Sequence, residues 1–381
     1  MARLKVFVFD PIDAGGVRAR PLPQSLKRQG DMLFQALLAD LGALSGIEVV
    51  TGASLHAVVS GPAGGADADR DTAAPHVAGD RDGDGAAAAD GADHGAGGGA
   101  NDGTKDGVHA TTFPSPAREL PPFGALFAAG MDAADAVWPL AHESQGVLEG
   151  LSRGILGGKR ILLGSAPGAV KVAASKLTLA RVLAEGGVAV VATYSPHAAL
   201  PQDGGPWVVK PDDGAGCLDT RLFSDRTAAL AWIRANAADG YVLQPFVAGK
   251  LGSLSLICCD GVAQLLACNL ERVAMRDNRF HFLGSVVNGL ADGDGALARL
   301  AQQVAAAIPS LWGYVGVDFV LSARGAMVLD VNPRLTAAYA GLHASTGCNP
   351  AGLVLDLLEG PAAMAAPVRM RRAVSVDIGI S

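Results

Sequence analysis

The stretch YVGVDFVLSARGAMVLDVNPR, residues 314–334, decides the fold. Two runs of strand-forming residues flank Ala323-Arg324-Gly325, and a three-residue hairpin loop favours Gly last, where the backbone turns left-handed. The expected register pairs Ser322 with Ala326. Counted outward in steps of two, it sets Asp318 opposite Asp330, and Asn332 shares the face of Asp330 because strand side chains alternate. Val317, Phe319 and Leu321, with Met327, Leu329 and Val331, then fill the other face. Two carboxylates and an amide oxygen, without Cys or His, suit a hard cation such as Mg²⁺ or Mn²⁺ shared with phosphate oxygens. On this hairpin alone, a solvated strand face carrying two Asp is the competing explanation.

Working outward, PWVVKP (206–211) reads as a strand closing on Lys210, and DDGAGC follows with Gly214 and Gly216. A long cation beside a turn whose amides can approach closely is a phosphate-binding arrangement. Lys176 lies in VAASKLTLARVLAEGG (172–187), expected as one helix with Leu177, Ala180 and Leu183 on one face and Gly186-Gly187 as its stop. It reaches toward the same nucleotide from the other side. Gln244-Pro245-Phe246-Val247 ends another strand, and Pro245 has no N–H, so Phe246 and Val247 are the better candidates to hydrogen-bond an adenine edge. Taken singly, each feature has an ordinary explanation: an exposed lysine, a glycine turn, core packing.

The remaining elements alternate between the two periods. LKVFVFD is a first strand, and GDMLFQALLADLGAL (30–44) a helix with Met32, Leu33, Ala36, Leu37, Asp40 and Leu41 at helical spacing. DAADAVWPLAHES (132–144) reads as a strand carrying Glu143 at its end, KRILLGS (159–165) and VAVVATY (188–194) as further strands. SDRTAALAWIRANAADG is a helix capped by Ser224 or Asp225, and YVLQPFV a strand. SLSLICC and VAQLLACNLE form a hairpin on Asp260-Gly261, a pair that favours a type I′ turn, and a helix follows near 293–308. The expected class is mixed α/β and α+β: a Rossmann-like domain over 1–170, a small lobe over 171–243, a large lobe over 244–365, and a tail over 366–381 forming a terminal strand.

Residues 61–112 lack Leu, Ile, Phe, Met, Trp and Tyr and are dominated by Gly, Ala and Asp. Such a segment cannot bury enough apolar surface to offset its ordering entropy, and it is expected to be a disordered surface insert interrupting the first domain. Its ten Asp against three Lys or Arg account for the whole formal charge of −7, so the rest of the chain is balanced. No basic patch or stripe calls for nucleic acid. The longest apolar runs are too interrupted to span a membrane, and five cysteines without a CxxC pair argue against zinc or disulfides. A cytoplasmic protein is expected, and neither heptads nor repeats give an oligomeric state. Replacing 61–112 by a short linker should leave the chemistry of the remaining chain unchanged, as ATP turnover by the deletion variant will check.

In order, these elements resemble the ATP-grasp superfamily: a Lys-bearing helix, a strand with KP and a glycine loop, a hinge, a GVDF strand and a DVNPR strand. The resemblance covers about residues 1–60 and 113–365, including a pre-ATP-grasp domain. VVKPDDGAGC, DVNPRLTAAYAGL and DPIDAGG…GDMLFQALLADL look like the branch containing tyramine–glutamate ligase of methanofuran-type cofactor biosynthesis. The resemblance implies that Lys176 and Lys210 contact ATP phosphates and that Asp318, Asp330 and Asn332 hold one or two Mg²⁺. Asp330 stands where Glu is commonest, and Ser175 where Asp often precedes the lysine. The implied activity is ADP-forming ligation of a small-molecule carboxylate to an amine through an acyl phosphate, possible partners being glutamate and tyramine or tyrosine.

Arg334, after Asn332-Pro333, is a candidate catalytic clamp for the phosphoryl group with Lys210, a structural ion pair being its competitor. Asn269, Glu271, Arg272, Leu335, Thr336 and His343 are candidate substrate readers. Two alternatives stand beside this reading: another amino-acid or peptide ligase of the superfamily, and a nucleotide-binding regulator without turnover. A dinucleotide site at Ala14-Gly15-Gly16 is disfavoured because GxGxxG is absent there.

Overall fold

The computed structural model describes residues 3–11, 24–52, 124–202, 204–236, 240–364 and 371–378, all within one compact unit. The Ala14-Gly15-Gly16 loop and the 61–112 insert lie outside the described residues. The fold is a parallel sheet followed by a long, curled, mainly antiparallel one.

The first sheet has the order β2-β1-β3-β4, with β1 at Leu4–Phe9, β2 at Ile47–Val50, β3 at Ala136–Pro139 and β4 at Ile161–Leu162. All its pairings are parallel. Val6 to Phe9 of β1 are fully buried, as expected for a strand with helices on both faces. Helix α1 (Gln24–Gly42) turns Leu26, Leu33, Leu37 and Leu41 inward. The expected strand over 132–144 is shorter. A helix α2 (Gly124–Ala133) takes its first residues, and Glu143 falls four residues past β3 in a turn where Gln145 and Gly146 have left-handed backbones.

Helix α3 (Val147–Gly157) precedes β4. The single helix expected over 172–187 is two, α4 (Pro167–Ala174) and α5 (Lys176–Glu185). Ser175 is extended between them, and its hydroxyl accepts from the Thr178 N–H at 3.1 Å. A serine that caps gives the backbone an alternative to continuing the helix, which the apolar spacing does not reveal. The restart makes Lys176 the first helical residue and leaves Leu177 exposed, with Leu179, Ala180 and Leu183 buried instead. Residues 188–194 do not form a strand. They make single bridges, Val190 to Val328 and Tyr194 to Leu243, and so pair briefly with two different strands.

The second sheet runs β12-β11-β8-β9-β10-β6-β5-β7. Its small-lobe strands are β5 (Trp207–Pro211), β6 (Arg221–Phe223) and β7 (Tyr241–Pro245), backed by α6 (Arg226–Ala235), whose cap is Asp225. Its large-lobe strands are β8 (Lys250–Cys259), β9 (Val262–Arg276), β10 (Arg279–Val287), β11 (Gly313–Ser322) and β12 (Gly325–Asn332), with α7 (Ala296–Ala307) packed on β9. Asp260 and Gly261 have φ of 49° and 77°, the paired left-handed backbone of a type I′ turn. Helices α8 (Tyr339–Thr346) and α9 (Pro350–Asp356) follow, and β13 (Val374–Asp377) pairs with β10.

In the β11–β12 hairpin, Ser322 pairs with Gly325, not Ala326, so the loop is one residue shorter than expected. A bulge at Leu329 inserts one residue into β12 and restores the count, so that Asp318 does face Asp330 and Val317 faces Val331. Beyond the bulge the faces exchange. Val328, opposite Phe319, enters the core, whereas Leu329 turns to the cleft.

Candidate active site

A cleft of about 340 Å³ is lined by strands of both lobes of the second sheet and by α1, α5 and the loop after β3. All eleven residues singled out above for phosphate, adenine, cation or catalytic contact line it.

At its polar end, Lys176 Nζ lies 3.0 Å from Asp330 Oδ2 and donates to the Gly214 carbonyl at 2.6 Å. The glycine loop is stitched to the start of α5: the Asp212 carbonyl accepts from Lys176 N–H and its carboxylate from Leu177 N–H. One lysine thus joins loop, helix and cation-side carboxylate. Burial works against its charge, but the ion pair and hydrogen bond with Asp330, helped by the charges of Glu143 and Asp212, together raise its pKa. Among the described residues Lys210 makes no such close ion pair. Burial first, and then the positive charge of Lys176, bring its pKa down to about 8.

Asp318 is pushed up to about 7 by burial, then by the carboxylates of Glu271 and Asp330, although Asn332 donates to its Oδ2 at 3.0 Å. Among the described residues no group of three or more His, Cys, Asp or Glu gathers as a metal cage. Two carboxylates and one amide remain, which fit a cation that takes its other oxygens from a phosphate or water. Asn332 turns its nitrogen to Asp318 and its oxygen to Arg334, 3.1 Å away, so it would offer oxygen to a cation only after its amide turns over.

Toward the lobe junction, the Phe246 N–H is committed to the Pro206 carbonyl at 2.9 Å, contrary to its expected role as a backbone donor. Its ring stays exposed at the cleft. Val247 is the backbone candidate left of the two. Gln244 is buried and donates to Thr193 at 2.8 Å.

Arg334 makes a buried ion pair with Glu143, Nε to Oε2 at 2.9 Å, and also donates to the Leu335 carbonyl. Ser144 and the Gln145 N–H bind Asp213 of the glycine loop. The loop after β3 therefore grips both the cation strand and the phosphate turn. Sequence reading missed this: the partners are 68 to 191 residues apart, and no local pattern marks them.

The candidate substrate readers divide. Glu271 and Thr336 line the cleft, Leu335 lies in the core, and Asn269 is fully buried beneath, donating to Ser253 and Ser255. Arg272 alternates to the other face and pairs with Asp377 of β13. His343, on α8, contacts Asp40 of α1 at 2.7 Å.

Residues 173–338 match the family model described as ATP-grasp domain, and residues 107–170 the one described as pre ATP-grasp 3 domain. No curated protein matches the sequence. Among solved structures, a protein described as of the ATP-grasp superfamily from Archaeoglobus fulgidus is 19% identical with a TM-score of 0.58, over 98% of this chain and 92% of that one. D-alanine–D-alanine ligase from Bacillus anthracis is 13% identical with a TM-score of 0.54, over 94% and 96%. The biotin carboxylase domain of Hydrogenobacter thermophilus 2-oxoglutarate carboxylase, in complex with MgADP and bicarbonate, is 15% identical with a TM-score of 0.52, over 64% and 58%. At these identities the likeness is one of fold. Among the described residues, no helix is long and apolar enough to cross a membrane.

Proposed function

The chain belongs to the ATP-grasp superfamily, and from that premise we propose that it is an ATP-dependent ligase joining a small carboxylate to an amine. The observation carrying this reading is one cleft lined by two lysines, a glycine loop and the Asp318–Asp330 pair. Neighbours of the same fold include a D-alanine–D-alanine ligase and an MgADP-bound enzyme.

In this reading the substrate carboxylate attacks the γ-phosphorus of ATP, giving an acyl phosphate and ADP. The amine then displaces phosphate. Lys210 and Lys176 hold phosphate oxygens, and Arg334, anchored by Glu143, faces the transferring group. The adenine end is closed by the Phe246 ring, Val247 and Gln244. Asp318, Asp330 and Asn332 would hold Mg²⁺, which when bound supplies neutralisation of phosphoryl charge. Apart from the Asn332 amide, which must first turn over, these side chains stand at the cleft before the reaction, and none forms a covalent bond to substrate.

Lys210 supplies a pH signature. Free, it loses its proton above about 8, whereas a bound phosphate requires the charged form. Nucleotide affinity should therefore fall as pH rises through that value, by up to about tenfold per unit. Lys210→Arg, charged throughout, should flatten the profile in calorimetric titrations.

Glutamate with tyramine or tyrosine is the substrate pair put forward, in a cytoplasmic one-carbon cofactor pathway; other amino-acid or peptide pairs are the first alternative. Coupled ADP release, with amino acids and amines offered pairwise and products weighed by mass spectrometry, tests both. ADP and an amide mass are expected for at least one pair. Tight ATP binding with no amide from any pair would leave a regulatory nucleotide-binding protein instead.

A further inference from the structure

We propose that Glu271 is the residue that receives the amine: its carboxylate holds the incoming ammonium group and takes the proton that must leave before nitrogen can attack. This rests on the ligase reading above and assigns its second half-reaction to a side chain outside the phosphate and cation set.

The placement comes from strand register. Asp330 faces Asp318 on β11, Asp318 faces Ser253 on β8, and Ser253 faces Asn269 on β9. Glu271 lies two residues beyond Asn269 and so shares its face, and it pairs with Ser285 on β10. A polar row thus crosses the sheet from the cation carboxylates to Glu271, which lines the same cleft.

The carboxylate is held. Ser253 donates to Oε1 at 2.5 Å and Ser285 to Oε2 at 2.6 Å, while buried Asn269 supports Ser253 from below at 3.1 Å. Each oxygen of an ionised carboxylate accepts two bonds, so one acceptor position on each is left for a ligand. A side chain fixed by two hydroxyls and a buried amide is preorganised in the manner of a binding group.

Charge then selects the ligand. A carboxylate in a cleft built for a polyphosphate and an acyl phosphate repels both, so it profits only from a cation. Glu271 does not close a metal cage with Asp318 and Asp330 among the described residues. The cation the chemistry still requires is the protonated amine. Burial holds the Glu271 pKa above the usual carboxylate range despite its two serine bonds, which favours a group that must accept a proton.

The step balances. An ammonium nitrogen carries three protons. The first goes to Glu271, freeing the lone pair that forms the C–N bond to the acyl carbon. The C–O bond to phosphate then breaks with its electron pair on the phosphate oxygen, which carries away the second proton. The third stays on the amide, and Glu271 returns its proton to solvent.

The test compares wild type with Glu271→Gln, which keeps the shape, accepts from one serine through its amide oxygen and donates through its amide nitrogen to the hydroxyl oxygen of the other. Each amino acid is offered as carboxylate, with either hydroxylamine, uncharged at neutral pH, or ammonium, methylammonium and tyramine, all protonated there. Amide from the protonated amines should fall on the order of 10²-fold in the variant, and hydroxamate by a far smaller factor. Equal losses with both kinds of nucleophile would assign Glu271 to phosphoryl transfer, and no loss with either would make it a scaffold; both overturn the proposal. So would a wild type that uses hydroxylamine and none of the protonated amines. A wild type giving neither ADP nor hydroxamate with any carboxylate removes the ligase reading itself, which the missing ADP makes recognisable.

Discussion

Asp318→Asn should yield a protein that is more stable than wild type and nearly inactive. Its carboxylate is pushed up to about 7 by burial and by Glu271 and Asp330, so at neutral and higher pH the folded, ligand-free chain holds a charge its surroundings disfavour. For an acid whose folded pKa exceeds its unfolded value, the native state binds the proton more tightly. Wild-type stability should therefore rise as pH falls from about 7 toward 4, and the cost should be fully present above 7. The asparagine removes that cost and can still accept the 3.0 Å bond from Asn332. A gain on the order of 1–2 kcal/mol is expected in metal-free buffer, discounting for solvent at a cleft wall. Turnover of MgATP should fall on the order of 10³-fold, because a donor to the cation is lost from a site that otherwise keeps its shape. Melting curves with and without EDTA, set beside ADP release, check both halves. A variant of unchanged turnover would remove Asp318 from the cation site.

Much of the sheet architecture was legible because apolar periodicity and turn chemistry are local. Asp260-Gly261 specifies its hairpin through two left-handed residues, and LKVFVF reads as a strand from its run of β-branched and aromatic residues. Where the reading missed, a competing local device had won. Ser175 caps a helix in the middle of an unbroken apolar pattern, and the segment 188–194 has strand composition but meets only one residue on each of two strands. The β11–β12 hairpin is instructive because two departures cancel. The loop is one residue shorter than expected, the bulge at Leu329 restores the count, and Asp318 meets Asp330 although Val328, and not Leu329, faces the core.

In the site, residues on the same strand or across a hairpin could be found by counting. Contacts that depend on the first domain could not. Glu143 reaches Arg334 across 191 residues, and Asp40 meets Tyr339 and His343 across about three hundred. The backbone role expected of Phe246 failed for a related reason: the Pro206 carbonyl, just before β5, accepts its N–H, a cross-strand contact that no local pattern marks.

Glu143→Ala should be among the most destabilising single changes available near the cleft, costing about 3–5 kcal/mol, because it leaves the Arg334 guanidinium buried without its counter-charge. Glu143→Gln should cost less, since an amide oxygen can still accept from Nε. The double variant Glu143→Leu, Arg334→Met should recover most of the lost stability in urea titrations, as apolar replacement of a buried pair commonly does. It should not recover ATP turnover. Arg334 holds the Asn332 oxygen at 3.1 Å, and Asn332 in turn donates to Asp318 at 3.0 Å, so the pair anchors one side of the cation set to the first domain. If the double variant regained both stability and turnover, Glu143 and Arg334 would be a dispensable brace. If it regained stability alone, the loop after β3 is part of the machinery that positions the transferred phosphoryl group.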